Sequence, residues 1–429
     1  MELDTYVGSK EVYGPETDLF NLPPTNTSVT SGDYQQLTPT TALAGNNTGV
    51  IGFRIEKSNS FVDLRDTFVY VKARIVNSEG TPILATEKIA PGNLFLHTLF
   101  RDIKIKFNST PVVSSDGLYP YQAWMRNLLK VSAGTKESEL SKEIYYKDTD
   151  PDDMSSANGG FQKRLALAAG GKSFEMIGKI SHDILEQERL IPNNVYVDIE
   201  FTRSNPNLCL QGDVNNNAYR VDIQEMNVYV KRRVLEQGLY NSIQQKFKKG
   251  GLARYPVTKT SMRSLPIFKG SQQCSTGSLY TGTLPRFMCV GVVNASAENG
   301  NIKMSPFNFK HNNMSKLTIT FDGQPVLYRA LECNFENGEY LLAYNTLFGN
   351  NLPNIGNGIT MQDYIKGNTL YVFDFNRTLP TQLQGELNGT VGLEMSFSQP
   401  LEELQTLMVM IQTQSLIEID GAGRVEVTY

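Results

Sequence analysis

Residues 95–112 read FLHTLFRDIKIKFNSTPV, and residues 309–326 read FKHNNMSKLTITFDGQPV. At one constant offset of 214 positions, and without a gap, Phe95 meets Phe309 and His97 meets His311. Ile103, Ile105 and Phe107 meet Leu317, Ile319 and Phe321, and Pro111-Val112 meets Pro325-Val326. In the first copy Ile103, Ile105 and Phe107 alternate with Lys104 and Lys106. Period-two alternation marks a strand with one face buried. Each copy then runs through a short polar turn, Asn-Ser or Asp-Gly, into a Pro-Val pair. Both are followed by a Tyr-bearing helical segment, YPYQAWMRNLL at 119–129 and EYLLAYNTLFG at 339–349. A tandem duplication of one β-sandwich is the simplest cause of such a repeat.

Outward from the two copies, strand signals arrive in series. In the first half they fall at 50–56, 67–76, 102–108, 194–202 and 219–231. In the second they fall at 258–268, 286–293, 316–322, 369–375, 390–397, 406–412 and 424–428. Short strands separated by turn signals favour sandwiches over a βαβ sheet. Residues 121–131 read as a helix, with Trp124, Leu128 and Val131 on one face. A second helix is expected over 234–249, where Leu235, Leu239, Ile243 and Phe247 recur every four residues and Gly250-Gly251 closes the run. The expected architecture is mainly all-β: two tandem eight-stranded antiparallel jelly rolls with short helices in loops. Its expected parts are an irregular N-terminal arm (1–49), a first roll (50–233), a linker helix (234–255) and a second roll (256–429). Phe20, Leu22 and Pro23-Pro24 are candidate anchors for the arm, and the polar, Gly-rich stretch 147–173 reads as a long surface loop.

Composition agrees. The chain has 429 residues, 20% charged and 40% hydrophobic, which is a folded composition long enough for two domains. It holds 20 Tyr and 21 Phe against one Trp. The net charge of −4 and an N-terminus reading MELDTYVGSKEVYGPETD leave no basic arm, so direct, extensive nucleic-acid binding is not expected. Lys231-Arg232-Arg233 reads as a strand end, and the lysines at 246, 248 and 249 as a solvated helix face. Cys209, Cys274, Cys289 and Cys333 form no C-x-x-C pair and read as buried free thiols. No signal peptide is visible, and no apolar run approaches the roughly 20 residues of a membrane span. Synthesis in a reducing, intracellular compartment follows as an expectation, with the sequons at Asn26, Asn108 and Asn388 as chance products of an Asn/Thr-rich chain.

Catalytic patterns are missing. Of three histidines, His97 and His311 repeat at matching positions and read as buried structural groups, while His182 accompanies no nucleophile motif. Residues 169–173, AGGKS, resemble the end of a phosphate-binding loop, but Ala166 stands where the pattern needs glycine. Asp148, Asp150, Asp152 and Asp153 offer hard oxygens suited to calcium, yet lack the Gly and closing Glu of an EF-hand and read as a solvated acidic loop. No catalytic, cofactor-binding or metal-binding residue is assigned, and no enzyme activity is expected.

Several stretches carry a resemblance: DLFNLPPTNTSV at 18–29, LHTLFRDIKIKFNSTPV at 96–112 and YPYQAWMRNLL at 119–129. Further ones are ARYPVTKTSMRSLPIFKGSQQ at 253–273, LPRFMCVGVV at 284–293, SPFNFKHNN at 305–313 and SLIEIDGAGRVEVTY at 415–429. From about residue 18 onward the chain resembles the capsid proteins of polinton (Maverick) elements and adintovirus-like viruses. That resemblance implies upright double jelly rolls and a pseudo-hexagonal homotrimer. It further implies an icosahedral shell around double-stranded DNA, located in the virion. Partners would be copies of itself, trimer against trimer, with a vertex (penton) protein and minor capsid proteins. Assembly by surface complementarity is the expected mechanism, with the N-terminal arm and the 144–173 loop reaching across neighbours. Two other readings stand beside it. A vertex or spike protein needs only one roll, against the two implied by the repeat. A cellular carbohydrate-binding β-sandwich predicts a secretion signal or a ligand loop.

Overall fold

The computed structural model describes residues 26–43, 49–113, 115–326, 330–348, 356–375 and 388–428. The candidate arm anchors Phe20, Leu22 and Pro23-Pro24 lie outside them. Four main sheets carry the chain. The first orders strands Val29–Leu37, Tyr219–Leu235, Phe61–Asn77 and Phe174–Gly178. The second orders Val50–Ile55, Val197–Arg203, Phe100–Phe107 and Thr110–Val113. In the third, Ala253–Ile267, Gln405–Ile419, Phe287–Asn294 and Leu370–Asp374 lie in order, with Val425–Thr428 added beside Gln405–Ile419. The fourth orders Gln273–Thr283, Asn388–Phe397, Met314–Phe321 and Gln324–Pro325, with Leu331–Glu332 added beside Met314–Phe321. Neighbouring strands run antiparallel. Two tandem jelly rolls result, each a pair of facing sheets.

The repeat is structural. Phe95 and Phe309 are both fully buried, as are the pairs Ile103/Leu317 and Ile105/Ile319. Each strand closes through a two-residue turn, Phe107 pairing with Thr110 and Phe321 with Gln324. Both central residues have positive φ in each turn: Asn108 and Ser109 at 46° and 71°, Asp322 and Gly323 at 48° and 77°. Two consecutive left-handed residues give the hairpin turn whose twist matches that of its strands, which favours Asn, Asp and Gly there.

Three expectations change. The stretch 1–49 contains the strand Val29–Leu37, and a second unforeseen strand is Gln273–Thr283. Both are polar sheet edges, each with a single buried residue. An edge strand with little buried face needs backbone pairing rather than hydrophobic alternation, so it leaves no period-two trace. The second helix begins at Gln237, because Leu235 still belongs to its strand and Glu236 caps the helix by accepting from Gly238 and Leu239. The 147–173 stretch is not a solvated loop: it contains the helix Gly159–Ala168, whose Phe161 and Arg164 are wholly buried.

The two cores exchange side chains. Trp124, Met125, Leu128 and Leu129, on the helix Tyr119–Lys130 of the first half, belong to the core of the second roll. In return Tyr255, Ile417 and Ile419 belong to the core of the first, with Val425 and Val427 packed against it. The same C-terminal turn is tied down by side-chain amides: Asn108 donates to the Gly423 carbonyl at 2.7 Å, and Asn194 to those of Asp420 and Gly421.

Candidate functional site: a polar centre and a cavity between the rolls

Two of the three histidines, His97 and His182, lie against the ring of Tyr119 in the first half. His97 is buried between Tyr119, whose hydroxyl is 2.7 Å from Nδ1, and Glu143, whose carboxylate is 3.0 Å from Nε2. The repeat-related His311 is only half-buried; it stacks on Phe335 at 4.3 Å, and its Nδ1 accepts from the Asn313 N–H. The two histidines therefore share a position in the fold but not a set of partners.

His182 pairs with a serine that the sequence reading passed over. Its Nε2 is 3.0 Å from Ser115 Oγ and its Nδ1 is 3.2 Å from the Gln122 amide. With the amide donating to Nδ1, the ring proton sits on Nε2 and is donated to Ser115. Burial pushes the His182 pKa down to about 3. Ser115 and His182 form a hydrogen-bonded pair buried in the core.

The acidic residues are similarly spent on structure. Asp148 accepts from Arg164 and Asn93. Asp152 accepts from the Ser305 N–H at 2.8 Å and the Asn308 amide at 2.6 Å, tying this segment to the second half. Among the described residues no group of three His, Cys, Asp or Glu side chains could hold a metal ion. The AGGKS segment forms a short turn, Ala169–Gly171, that follows a helix and precedes the strand Phe174–Gly178. A phosphate-binding loop needs the reverse order. Cys209, Cys289 and Cys333 are buried free thiols and Cys274 is half-buried; burial raises Cys209 to about 12. Lys231 and Arg233 pair with Asp66 and Asp63 at the end of their strand, while Lys246 and Lys248 lie exposed on the helix Gln237–Lys248. No helix among the described residues is long and apolar enough to cross a membrane.

Beside this centre lies a cavity of about 560 Å³, walled by Trp124, Leu128 and Tyr145 from the first half and by Asn357, Ile359 and Asp363 from the second. Lys136 is buried against it and donates to the carbonyls of Leu128 at 2.6 Å and Asn357 at 2.7 Å. Sequence reasoning missed this lysine. Its segment, SAGTKESELSKE, reads as polar surface, and only the tertiary fold closes over it. On the outer surface, Leu341, Leu342, Phe348 and Met361 are exposed within one short stretch of chain.

No family model matches the sequence. An uncharacterized protein of Caenorhabditis elegans is 24% identical over 295 residues, spanning 67% of this chain and 69% of that protein. A chain of the cryo-EM structure of the Sputnik virophage superposes with a TM-score of 0.67 at 12% identity, covering 99% of this chain and 94% of its own. The mavirus major capsid protein gives 0.58 at 14% identity, covering 100% and 96%. For the Faustovirus major capsid protein the values are 0.56 at 10%, covering 93% and 92%. The fold is that of double jelly-roll major capsid proteins.

Proposed function

We propose that this chain is a structural major capsid protein of a double-stranded DNA virus or virus-like transposon, in the polinton and adintovirus lineage. The observation that carries the reading is the pairing of two jelly rolls in one chain, alike over its whole length to the mavirus major capsid protein. A block of two similar rolls has pseudo-twofold symmetry. Three blocks about one axis present six similar units, so a trimer tiles as a hexagon. The proposed unit is a homotrimer, packed trimer against trimer into an icosahedral shell, with a vertex protein and minor proteins at the gaps. Its location is the virion, after synthesis in a reducing compartment of the host. The division into an arm (1–49), a first roll (50–233), a linker (234–255) and a second roll (256–429) belongs to the same proposal, with the strand Val29–Leu37 moved from the arm to the first roll and the linker narrowed to the helix Gln237–Lys248 and the turn after it. Self-association supplies cover for the exposed Leu341, Leu342, Phe348 and Met361, because assembly interfaces bury apolar groups at their centres. No catalytic step and no cofactor enter.

Electron microscopy of the purified protein, with its mass in solution, tests this. Hexagonal trimers or closed shells are the expected result. A monomer that stays single at high concentration overturns it.

A further inference from the structure

We infer that the cavity between the rolls is a binding site for a small amphipathic carboxylate, with its head on the Lys136 ammonium and its apolar body along Trp124 and Ile359. The inference goes beyond the capsid reading and does not depend on it. A volume of about 560 Å³ falls within the usual range of ligand pockets, roughly 300–1,000 Å³.

The decisive feature is an unbalanced charge. Lys136 is 5% exposed, and among the described residues no carboxylate lies within 4.0 Å of its Nζ. Two of its three N–H groups go to backbone carbonyls, leaving one donor over. Five other charged groups line the cavity: Glu137, Lys147, Asp148, Lys163 and Asp363. Asp148 is taken by Arg164 and Asn93. Asp363 is taken by Lys147 at 2.7 Å and by Thr360. Glu137 is exposed. A buried ammonium without a counter-ion is costly, and its usual remedies are pairing or loss of the proton. Desolvation, helped by the nearby Lys147, lowers Lys136 to about 7, against a weaker pull from Asp363. A bound carboxylate supplies the missing negative charge.

The walls set the rest of the ligand. Trp124 lies flat on Phe307 at 4.5 Å and within 5.9 Å of the Tyr145 ring, and Leu128 and Ile359 are apolar and buried. One ammonium suits one monoanionic head. A doubly charged phosphate needs more donors than the one N–H that Lys136 has left. Because both halves form the walls, an occupant bridges the rolls and stabilises the assembled chain.

Trp124 is the only tryptophan, so its emission reports on this cavity without background. Octanoate and benzoate are titrated into the full chain while Trp124 fluorescence and Tm are followed, with octan-1-ol as the uncharged control. At least one carboxylate is expected to give a saturable emission change and a Tm that rises with its concentration. The alcohol is expected to bind at least tenfold more weakly. Carboxylate affinity should fall about tenfold per pH unit above about 7, where Lys136 must first take up a proton. In Lys136→Met the response disappears. Should that variant fail to fold, the pH profile and the alcohol control of the wild type decide alone. Equal binding of octanol and octanoate, a pH-independent affinity, or no saturable change with either carboxylate overturns the proposal.

Discussion

The guanidinium of Arg164 lies 3.0 Å from the Asp148 carboxylate, with side-chain exposures of 0% and 7%. Arg164 extends the contact by donating to the Pro91 carbonyl and to Gln211. One helix and one acidic loop, 16 residues apart in sequence, are thus fixed to the small two-stranded sheet formed by Ile89–Pro91 and Leu210–Gly212. Burial nevertheless holds the Asp148 carboxyl above its ordinary value against the pull of Arg164. The pair fixes geometry more than it adds stability.

Removing one partner strands the other. Arg164→Met is expected to cost about 3–5 kcal/mol, because the Asp148 charge stays buried and unpaired. Adding Asp148→Asn should restore part of that loss. Urea denaturation of the two variants checks it, and equal stability of single and double variants counts against the pair.

The hairpin turn Asp322-Gly323 gives a cleaner backbone test. Gly323 sits at φ 77° with open space around it, so Gly323→Ala adds a methyl group that touches nothing. Left-handed backbone alone should then cost about 1 kcal/mol. No change in the denaturation midpoint would show that the turn relaxes instead.

Core exchange makes damage cross between halves. Ile417 is wholly buried in the first-roll core, although its strand starts in the second. Ile417→Ala should cost about 2–5 kcal/mol. Hydrogen exchange should quicken in Val50–Ile55 and Val197–Arg203, not solely around residue 417. Exchange confined to the third sheet would contradict the exchange of cores.

Acid sensitivity should trace in part to His182. Its folded pKa of about 3 lies below the ordinary 6.5, so the unfolded chain binds the extra proton between those values. Stability is therefore complete above about 6.5 and falls as pH drops toward 3, with a slope near 1.4 kcal/mol per pH unit from this one group. His182→Gln should flatten that slope in denaturation series across the window. Parallel slopes would assign the loss to other groups.

What was legible in the sequence was what a local pattern can carry. Ile103, Ile105 and Phe107 announce their strand by alternation, and the constant offset to residues 317–321 announces the second roll. The strands Val29–Leu37 and Gln273–Thr283 have little buried face, so neither shows a pattern. Asp148 and Lys136 sit in polar runs that look like surface, and their burial comes from helices and loops contributed by distant chain. The helix Tyr119–Lys130 was visible by its spacing, but its apolar face does not say which roll it will enter.

The reach of Ile417 and Ile419 into the first roll has a consequence for how the molecule is made. The first half leaves the ribosome with its core unfinished, because Ile417 and Ile419, which help to fill it, are translated only after the strands of the second roll. Until then its sheets carry an open apolar gap, the kind of surface that nascent chains bring to chaperones. The core of the first roll is complete only when Ile417 and Ile419 of the second half have been made.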